Sequence, residues 1–494
     1  MRDLLRDLFR YLPGVLLPAL VGLAEVPILT HLFDPDIYGQ YALTITTVLA
    51  MTLAQAWITL SIIRLYPSAE RSGHLPELYG SSLGGFLGWT ALMAGGFLLT
   101  LWLLRGLMDR LLLRLMLAGG VLFAVLGFFQ VLQHFLRARR RVGTYSAFAS
   151  WSAMGRLSLG LGLALGFGWG VEGLLWGYIL ALALVCPILW RAAVGRTGPR
   201  LKVRSDMLPQ MARYGGPLAV CVVTEWTVGQ SNLYFLKVYQ GEAAVGVYAA
   251  SYILAAKGIL LFSALFQAAS RPLEMHIWEK EGQARSQSHA ARITRLYLLV
   301  VPPFGVLMAC LARPAIGILT GAEYLQGYVI VPLIVLGSLM LGLEQRYQVG
   351  LLLHKKTGLL MLCFLASAAS NLLLNRLLVP RWSYIGAASA SAASYALLLG
   401  LTVALAHRHF RFPFPLATLG RTAVALAVAA AGVWSSGFWL GGRPLTRILV
   451  AAPAGLMIYA AVLAALREFR AEEWNAMRRL LRNRGGSRMP FSEE

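Results

Sequence analysis

The stretch 115–141 reads LMLAGGVLFAVLGFFQVLQHFLRARRR, and it holds the two features that decide the fold. The part 115–136 is almost entirely apolar, and about 20 such residues suffice for a helix to cross the hydrocarbon core of a membrane. Four arginines follow directly, at Arg137, Arg139, Arg140 and Arg141. Basic residues beside a membrane helix favour the cytoplasmic side. The stretch therefore predicts a membrane-spanning helix that ends in the cytoplasm.

The composition of the whole chain indicates the same environment. Of 494 residues, 58% are hydrophobic and 13% are charged, whereas soluble proteins carry about 25% charged residues. The formal net charge of +22 does not indicate nucleic-acid binding, because the basic residues lie mainly between apolar stretches. Orientation in the membrane and attraction to anionic membrane lipids explain them. The four cysteines and the scattered histidines show no spacing for a metal or cofactor site.

Fourteen apolar stretches have the length of a membrane span. They lie at 12–32, 39–63, 80–104, 115–136, 145–167, 171–190, 214–236, 243–268, 296–319, 327–352, 358–379, 384–406, 416–440 and 447–466. With a cytoplasmic N-terminus, the inward-facing segments hold most lysines and arginines, and one missed helix would invert that alternation. We therefore predict a multi-pass membrane protein with both termini in the cytoplasm. The first stretch lacks a cleavage pattern, so we expect it to be retained as a helix.

The two halves of the chain resemble each other. Gly39 and Tyr41 match Gly246 and Tyr248, and the basic turn that ends at Gly143 matches the one that ends at Gly358. Both copies begin on the same side of the membrane, so the repeat is parallel. Parallel repeats suit alternating access, in which two lobes rock around a central site. The predicted fold is all-α, with two six-helix lobes around a central lumen and two further C-terminal helices.

This repeat predicts four parts of the chain. The N-terminal lobe takes 1–205, the C-terminal lobe takes 206–411, the two last spans take 412–466, and a cytoplasmic tail takes 467–494. In the tail, Phe469, Trp474, Met477 and Leu481 fall close to one helical face among many arginines. This pattern predicts an amphipathic helix on the cytoplasmic membrane surface, with a solvated basic tail as the alternative.

Several motifs resemble those of polysaccharide transporters, the O-antigen flippase branch of the multidrug/oligosaccharidyl-lipid/polysaccharide exporter superfamily. The motifs are LTHLFDPDIYGQYAL at 29–43, the basic end of the fourth span, RYGGPL at 213–218 and GVYAASYIL at 246–254. The resemblance implies two six-helix bundles that form a V around a lumen. It also implies a protein of the bacterial inner membrane that moves undecaprenyl-diphosphate-linked saccharide from the cytoplasmic to the periplasmic leaflet. Glycosyltransferases and a polymerase of the same pathway are then expected partners, and the chain itself is expected to be a monomer.

Three basic residues fall near the middle of predicted spans, where a charge is costly and indicates a function or a partner. They are Arg156, Lys257 and Arg346. The functional interpretation is that they line a water-filled lumen and bind a diphosphate head group through charge-assisted hydrogen bonds. The structural alternative is that they form ion pairs that lock helices together, for example Arg346 with Glu344.

Acidic residues in the spans are candidates for ion coupling. Glu25 and Glu225 occupy similar places in the two repeats, and Glu344 belongs to a polar patch in the tenth span. A carboxylate in a medium of low dielectric constant can carry a proton near neutral pH, which would couple transport to a proton or cation gradient. A salt bridge to a lumen cation is the alternative.

Prolines mark candidate points of bending. Pro13, Pro18 and Pro27 lie in the first span, and Pro217 lies in the seventh. Proline removes a backbone donor and bends a helix, so bent helices at matching positions could take part in gating. Proline is also common in membrane helices that do not move.

Three other functions compete with saccharide transport. A membrane glycosyltransferase or polymerase would need a large outward loop or domain, and the predicted outward loops are short. A peptidoglycan-precursor flippase would carry a substrate that also bears a diphosphate. A multidrug exporter would favour acidic rather than basic residues in its lumen. We therefore expect a transporter, not an enzyme, that moves a lipid-diphosphate-linked saccharide.

Overall fold

The computed structural model describes residues 2–195, 206–439 and 444–469, and within these residues all regular structure is helical. The first half holds α1 (Arg2–Leu32), α2 (Pro35–Ala54), α3 (Ala56–Arg71), α4 (Leu75–Leu104), α5 (Arg110–Ala138), α6 (Val142–Leu161) and α7 (Gly170–Val194). The second half holds α8 (Met207–Gln230), α9 (Asn232–Gln240), α10 (Glu242–Cys310), α11 (Ala312–Leu319), α12 (Val331–Leu353), α13 (Thr357–His409), α14 (Leu416–Trp439) and α15 (Pro444–Ala465). The amphipathic helix predicted in the tail lies almost wholly outside the described residues.

The helices confirm an all-α membrane protein of about fourteen spans. Within the described ranges, 11 helices are long and apolar enough to cross a membrane. The 53-residue α13 bends at Ser383, whose φ is 48°, so it contains both spans predicted there. Likewise, α10 bends at Gly282 and includes the span predicted at 243–268 and most of the span predicted at 296–319, which continues into α11. The spans predicted at 145–167 and 214–236 correspond to α6 and α8, which are not among the 11, so the count of fourteen is approximate.

By its contacts the chain divides into two compact units. One comprises Met1–Leu265 with Ile316–Arg411, and the other comprises Phe266–Ala315 with Phe412–Glu494. The first unit holds helices of both predicted lobes. The four-part division that the sequence predicts at 205, 411 and 466 stays a prediction.

Small residues let α6 approach two neighbours closely. A side chain at Gly177 of α7 would overlap the backbone of Gly160 in α6, and one at Gly14 of α1 would lie 2.7 Å from the Ser146 hydroxyl oxygen of α6. Without hydrophobic attraction between helices in lipid, such close packing is a main source of helix association. Because α1 and α6 run parallel from the Gly14 contact, residues about ten positions further along each helix face each other, which brings Glu25 to Arg156.

The repeat predicted from the sequence has a direct structural expression. A side chain at Gly39 would overlap the carbonyl oxygen of Glu242, and one at Gly246 would overlap that of Pro35. Pro35 and Glu242 are the first residues of α2 and α10. The contact is therefore reciprocal, as in a two-fold symmetric interface, where each surface meets its own copy. Glycine at both positions is required by the close approach of the two backbones.

The two basic turns also match in backbone conformation. Arg140, after α5, has φ 55° and Lys355, after α12, has φ 57°. In each turn the next residue donates its N–H to the carbonyl five residues earlier, Arg141 to Leu136 and Lys356 to Leu351. This is the Schellman ending of a helix, in which glycine usually takes the left-handed position. A side chain there costs on the order of 1 kcal/mol.

Buried polar side chains hold the second half together where α8 gives way to α9. Asn232 donates to Tyr248 of α10 and to Ser391 of α13, at 2.7 Å each, and accepts from Asn375 at 2.8 Å. Ser231 donates to Asn371 at 2.9 Å. Polar groups inside a membrane protein contribute stability when they bond across helices in this way.

A buried carboxylate joins three helices of the second unit. Glu468, just beyond α15, accepts from Arg295 of α10 at 2.9 Å and from Thr418 and Arg421 of α14 at 2.6 and 2.8 Å. Burial by itself raises the pKa of a carboxyl group, but here the hydrogen bonds and the charge of Arg295 outweigh burial and lower the pKa of Glu468.

Candidate functional site: a cavity with one acid and two bases

A cavity of about 250 Å³ lies between helices of the two sequence halves within the first unit. α1, α2 and α6 line one side, and α8, α9 and α10 line the other. Its lining is mostly apolar and aromatic, and its only charged lining residues among those described are Glu25, Arg156 and Lys257. Tyr41 and Tyr248, the tyrosines matched by the repeat, both lie in the lining. The position between the halves is the one that parallel repeats predict for a transport site.

Glu25 and Arg156 form an ion pair across the α1–α6 contact. The Glu25 carboxylate accepts from the Arg156 guanidinium through Oε2, and from the Tyr41 hydroxyl at 3.1 Å through Oε1. The side chains are only 12% and 21% exposed. The guanidinium also lies over the ring of Tyr178, with its carbon 5.5 Å from the ring centre. Partial burial strengthens the attraction between the charges compared with an exposed pair.

Lys257 completes the group from the other half of the chain. Its ammonium donates to the carbonyl oxygen of Gly22 in α1 at 3.3 Å. A methyl group at Gly22 would lie 2.6 Å from that ammonium nitrogen. The missing side chain at Gly22 thus provides the space in which Lys257 reaches α1, one helical turn from Glu25.

The cavity retains hydrogen-bond donors that no described residue uses. Nε of Arg156 and the indole Nε1 of Trp226 are buried and have no acceptor among the described residues. Both residues line the cavity. Buried polar atoms without a partner are uncommon in native proteins, and a bound ligand is one explanation for them.

Arg346 and Glu344 occupy a different environment. They are 4% and 0% exposed in α12, and neither is among the residues that line the cavity. Glu344 accepts from Thr402 of α13 at 3.2 Å. The structure therefore brings together two of the three predicted cations. A substrate-binding role for Arg346 and an ion-coupling role for Glu344 stay predictions.

The other predicted residues lie near the cavity or in helices that border it. Glu225 is next to the lining residue Trp226 and interacts electrostatically with Tyr252 and Tyr395. Pro13, Pro18 and Pro27 lie inside α1, and Pro217 lies inside α8. Both helices continue through their prolines, and a gating role for these residues stays a prediction.

Sequence reasoning missed the uncharged lining residues. Tyr41, Trp226, Gln230 and Tyr252 line the cavity, yet nothing in the sequence distinguishes them from aromatic and amide residues that pack elsewhere. The only available signal was adjacency, because Trp226 follows Glu225 and Tyr41 belongs to the repeated Gly-x-Tyr motif.

Known structures share this fold. A lipid II flippase, MurJ, in an inward closed conformation superposes with a TM-score of 0.74 at 13% identity, over 94% of this chain and 99% of that chain. An inward-facing multidrug resistance MATE family transporter of the MOP superfamily gives 0.56 at 14% identity, over 81% and 94%. A Vibrio cholerae MATE transporter mutant gives 0.57 at 15% identity, over 82% and 96%. No curated protein sequence matches the chain.

A family model fixes the relationship more closely than these distant structures do. The model described as polysaccharide biosynthesis protein matches residues 28–328, more than half of the chain. The match includes the second to sixth spans of the first predicted repeat and the first three spans of the second repeat. Arg156 and Lys257 lie within the match, and Glu25 lies just before it. With its multi-pass helical fold shared with MOP-superfamily transporters, this chain belongs to the polysaccharide biosynthesis protein family.

Proposed function

We propose that this protein is a flippase that moves undecaprenyl-diphosphate-linked saccharide units from the cytoplasmic to the periplasmic leaflet of the bacterial inner membrane. The observation that carries the proposal is the cavity between the two halves, with Arg156 and Lys257 facing it from opposite sides. In this proposal both termini lie in the cytoplasm, and the protein acts as a monomer that receives its substrate from glycosyltransferases and delivers it to a polymerase.

The two cations match the chemistry of a diphosphate. A guanidinium and an ammonium offer charge-assisted hydrogen bonds, and a diphosphate that leaves bulk water needs such donors. Nε of Arg156 is already oriented in the protein without an acceptor among the described residues. The remainder of the lining is mostly aromatic and apolar, and electrostatic contacts are stronger in such a medium of low dielectric constant than in water.

The volume of the cavity supports alternating access. About 250 Å³ is below the range of about 300–1,000 Å³ that holds drug-sized ligands, and a lipid-linked saccharide is larger still. The structure therefore corresponds to a contracted state, and transport requires the halves to separate on one side at a time. The reciprocal Gly39–Gly246 contact is one of the places where they must part.

Glu25 supplies a means of coupling. The carboxylate of Glu25 accepts a hydrogen bond from the Arg156 guanidinium, so an arriving diphosphate has to compete with Glu25 for that guanidinium. Protonation of Glu25 would remove this competitor and free the guanidinium for substrate. Binding of the phosphate and protonation of Glu25 are then coupled, because each favours the state in which the Glu25–Arg156 pair is broken, so transport should respond to a proton gradient.

The test is translocation by purified protein in proteoliposomes that contain a fluorescent undecaprenyl-diphosphate saccharide. Arg156→Ala and Lys257→Ala should each weaken substrate binding on the order of 10- to 100-fold, because each removes a charge-assisted contact. Lys257→Arg should retain most activity. Arg376→Ala, which removes an exposed cation of α13 away from the cavity, is the matched control. Unchanged translocation in the two alanine variants would overturn the proposal.

Two other substrate classes form further arms of the same experiment. A peptidoglycan precursor, the substrate named for the lipid II flippase, also carries a lipid-linked diphosphate. A cationic drug, as for a multidrug exporter, would be attracted by Glu25 alone and repelled by Arg156 and Lys257. Faster translocation of the undecaprenyl-diphosphate saccharide than of the peptidoglycan precursor or the drug supports the proposal. Catalysis by a glycosyltransferase or polymerase would appear as covalently altered lipid.

A further inference from the structure

The basic turns after α5 and α12 combine an unusual backbone with a repeated charge. Arg140 and Lys355 both take the left-handed conformation, at φ 55° and 57°. The backbone N–H of Arg140 donates to the carbonyl oxygen of Arg137 at 3.0 Å. The backbone N–H of Lys355 donates to the carbonyl oxygen of Leu352 at the same distance. Glycine adopts this conformation without steric cost and is the usual residue there. Both halves of the protein instead hold a basic side chain.

The basic residues of these turns differ in the contacts that their side chains make. Arg139 donates to the carbonyl oxygens of Ala193 at 2.9 Å and Ala192 at 3.4 Å, near the end of α7, and so has a structural role. Arg137 lies over the ring of Tyr145. Arg140 and Lys355 are exposed, and neither forms an ion pair or side-chain hydrogen bond with any residue that the structure describes.

Each turn exposes a second cation beside the left-handed residue. Arg141 follows Arg140, with one weak contact to Ala192 at 3.4 Å, and Lys356 follows Lys355. The neighbouring cations are exposed at the end of a helix that is long and apolar enough to cross a membrane, where lipid head groups are expected. An anionic phosphate is the group whose charge complements such a pair.

We propose that the two turns are binding sites for the head groups of anionic phospholipids in the leaflet that faces them, one site in each half of the protein. In each turn the left-handed residue, Arg140 or Lys355, is exposed and is followed directly by a second exposed cation, Arg141 or Lys356. Bound lipid phosphate then holds the inner ends of α5 and α12 at the membrane surface. The proposal does not depend on which substrate the central cavity carries.

The competing explanation is that these residues only orient the protein during insertion. Any exposed cations on the same face would then serve equally well. Arg64 and Arg71 of α3 are suitable for comparison, because both are exposed and α3 ends on the same predicted face. Removing this pair eliminates the same amount of charge without touching the two turns.

The experiment measures binding of phosphatidylglycerol to the purified full-length protein by native mass spectrometry and by lipid-induced thermal stabilisation. Phosphatidylcholine is the zwitterionic reference. Arg140→Gly with Lys355→Gly relieves the left-handed strain while it removes both charges, so loss of binding cannot be attributed to a disrupted turn. Arg140→Lys with Lys355→Arg retains both charges, and Arg64→Gln with Arg71→Gln is the matched charge control.

The double glycine variant should bind phosphatidylglycerol about fivefold more weakly for each lost charge at low salt. Its binding of phosphatidylcholine and its melting temperature without lipid should not fall. The charge-retaining variant should behave as wild type, and 1 M salt should abolish the difference, because the screening length is then about 3 Å. Unchanged phosphatidylglycerol binding in the glycine variant, or an equal loss in the α3 control, would overturn the proposal.

Discussion

At the scale of single residues, the cavity depends on an acid and two bases that come from distant parts of the chain. Their positions in the middle of apolar stretches identified Arg156 and Lys257 as candidates from sequence alone. The partner of Arg156 could not be identified in that way. Glu25 lies 131 positions earlier, and it meets Arg156 because small residues bring α1 and α6 together at Gly14. Contacts of this kind depend on the rotation of each helix about its axis, which charge and hydropathy do not determine.

Replacement of Glu25 by Gln tests the coupling role at this scale. The amide keeps the size of the side chain but removes the negative charge that competes for Arg156. We expect tighter binding of the diphosphate lipid and transport that no longer responds to an imposed pH gradient. Translocation in proteoliposomes with and without a gradient measures both effects. A variant that keeps the wild-type gradient response would contradict the coupling role.

Gly22→Ala tests the placement of Lys257. The added methyl group would come within 2.6 Å of the ammonium nitrogen, which is the free end of a flexible side chain and can move away. We expect the melting temperature to stay the same or rise slightly, because alanine favours a helix by up to about 1 kcal/mol over glycine. Translocation should fall several-fold. Gly88→Ala in α4, where the methyl group meets nothing within 4 Å, should leave translocation unchanged.

At the scale of helices, the short motifs of the sequence repeat correspond to matching backbone contacts and turns in the structure. The matched glycines Gly39 and Gly246 meet at the start of α2 and α10, and the matched basic turns share one backbone conformation. The breaks between α2 and α3 and between α8 and α9 were not predicted. Each predicted span ran across its break without a glycine or proline at Gln55 or Ser231 to mark it. Buried hydrogen bonds such as Ser231 to Asn371 stabilise the second break, and they depend on tertiary neighbours.

Gly39→Ala and Gly246→Ala test the contact between α2 and α10. Each methyl group would overlap a backbone carbonyl that cannot move alone, so the two helices must separate. We expect each variant to lower the melting temperature, with a loss on the order of 1–3 kcal/mol typical of overpacking. Gly216→Ala in α8, where the methyl group meets nothing within 4 Å, serves as the control. Equal melting temperatures for all three variants would show that the close contact is not stabilising.

Glu468→Gln tests the carboxylate that joins α10, α14 and the end of α15. The folded protein holds the pKa of Glu468 below its usual value, so its stabilisation is full above the unfolded pKa of about 4.3 and is lost as the pH falls through the lower, folded pKa. We expect the variant to lose about 3 kcal/mol at pH 7, since Arg295 would keep a buried charge without its partner. The difference in melting temperature from wild type should shrink below about pH 4.

Glu281→Gln is the control for this experiment. Glu281 pairs with Arg285 at 3.3 Å, but both side chains are about half exposed or more, and such pairs contribute little stability. Its melting temperature should follow wild type at both pH values. A pH-independent loss in Glu468→Gln would mean that the carboxylate charge is not what stabilises this junction.

At the scale of the whole molecule, hydropathy and charge alternation were enough to predict an all-α membrane protein of about fourteen spans. They were sufficient because every backbone polar group in lipid must be bonded within its own helix, which leaves few possible structures. The same reasoning could not predict that α6 and α8 border the cavity. It also could not predict that helices 266–315 and 412–469 form a compact unit of their own.

The predicted orientation can be tested with single cysteines in a variant in which Cys186, Cys221, Cys310 and Cys363 are replaced by serine. Ser72, between α3 and α4, should be cytoplasmic, and Gly106, between α4 and α5, should be periplasmic. Both positions are exposed. A membrane-impermeant maleimide added outside spheroplasts should label Gly106→Cys and not Ser72→Cys. The reverse labelling pattern would show that the predicted topology is inverted and that the basic turns lie outside the cytoplasm.

The reciprocal contact of Gly39 and Gly246 also bears on the origin of the chain. A residue that touches its own counterpart lies on the axis that relates the two halves. Before a gene duplication joined them, a half-length ancestor could have formed the same contact as a homodimer, with one glycine codon serving both sides. After fusion the two codons became independent. Each must still encode glycine, because each residue packs against the backbone of the other half.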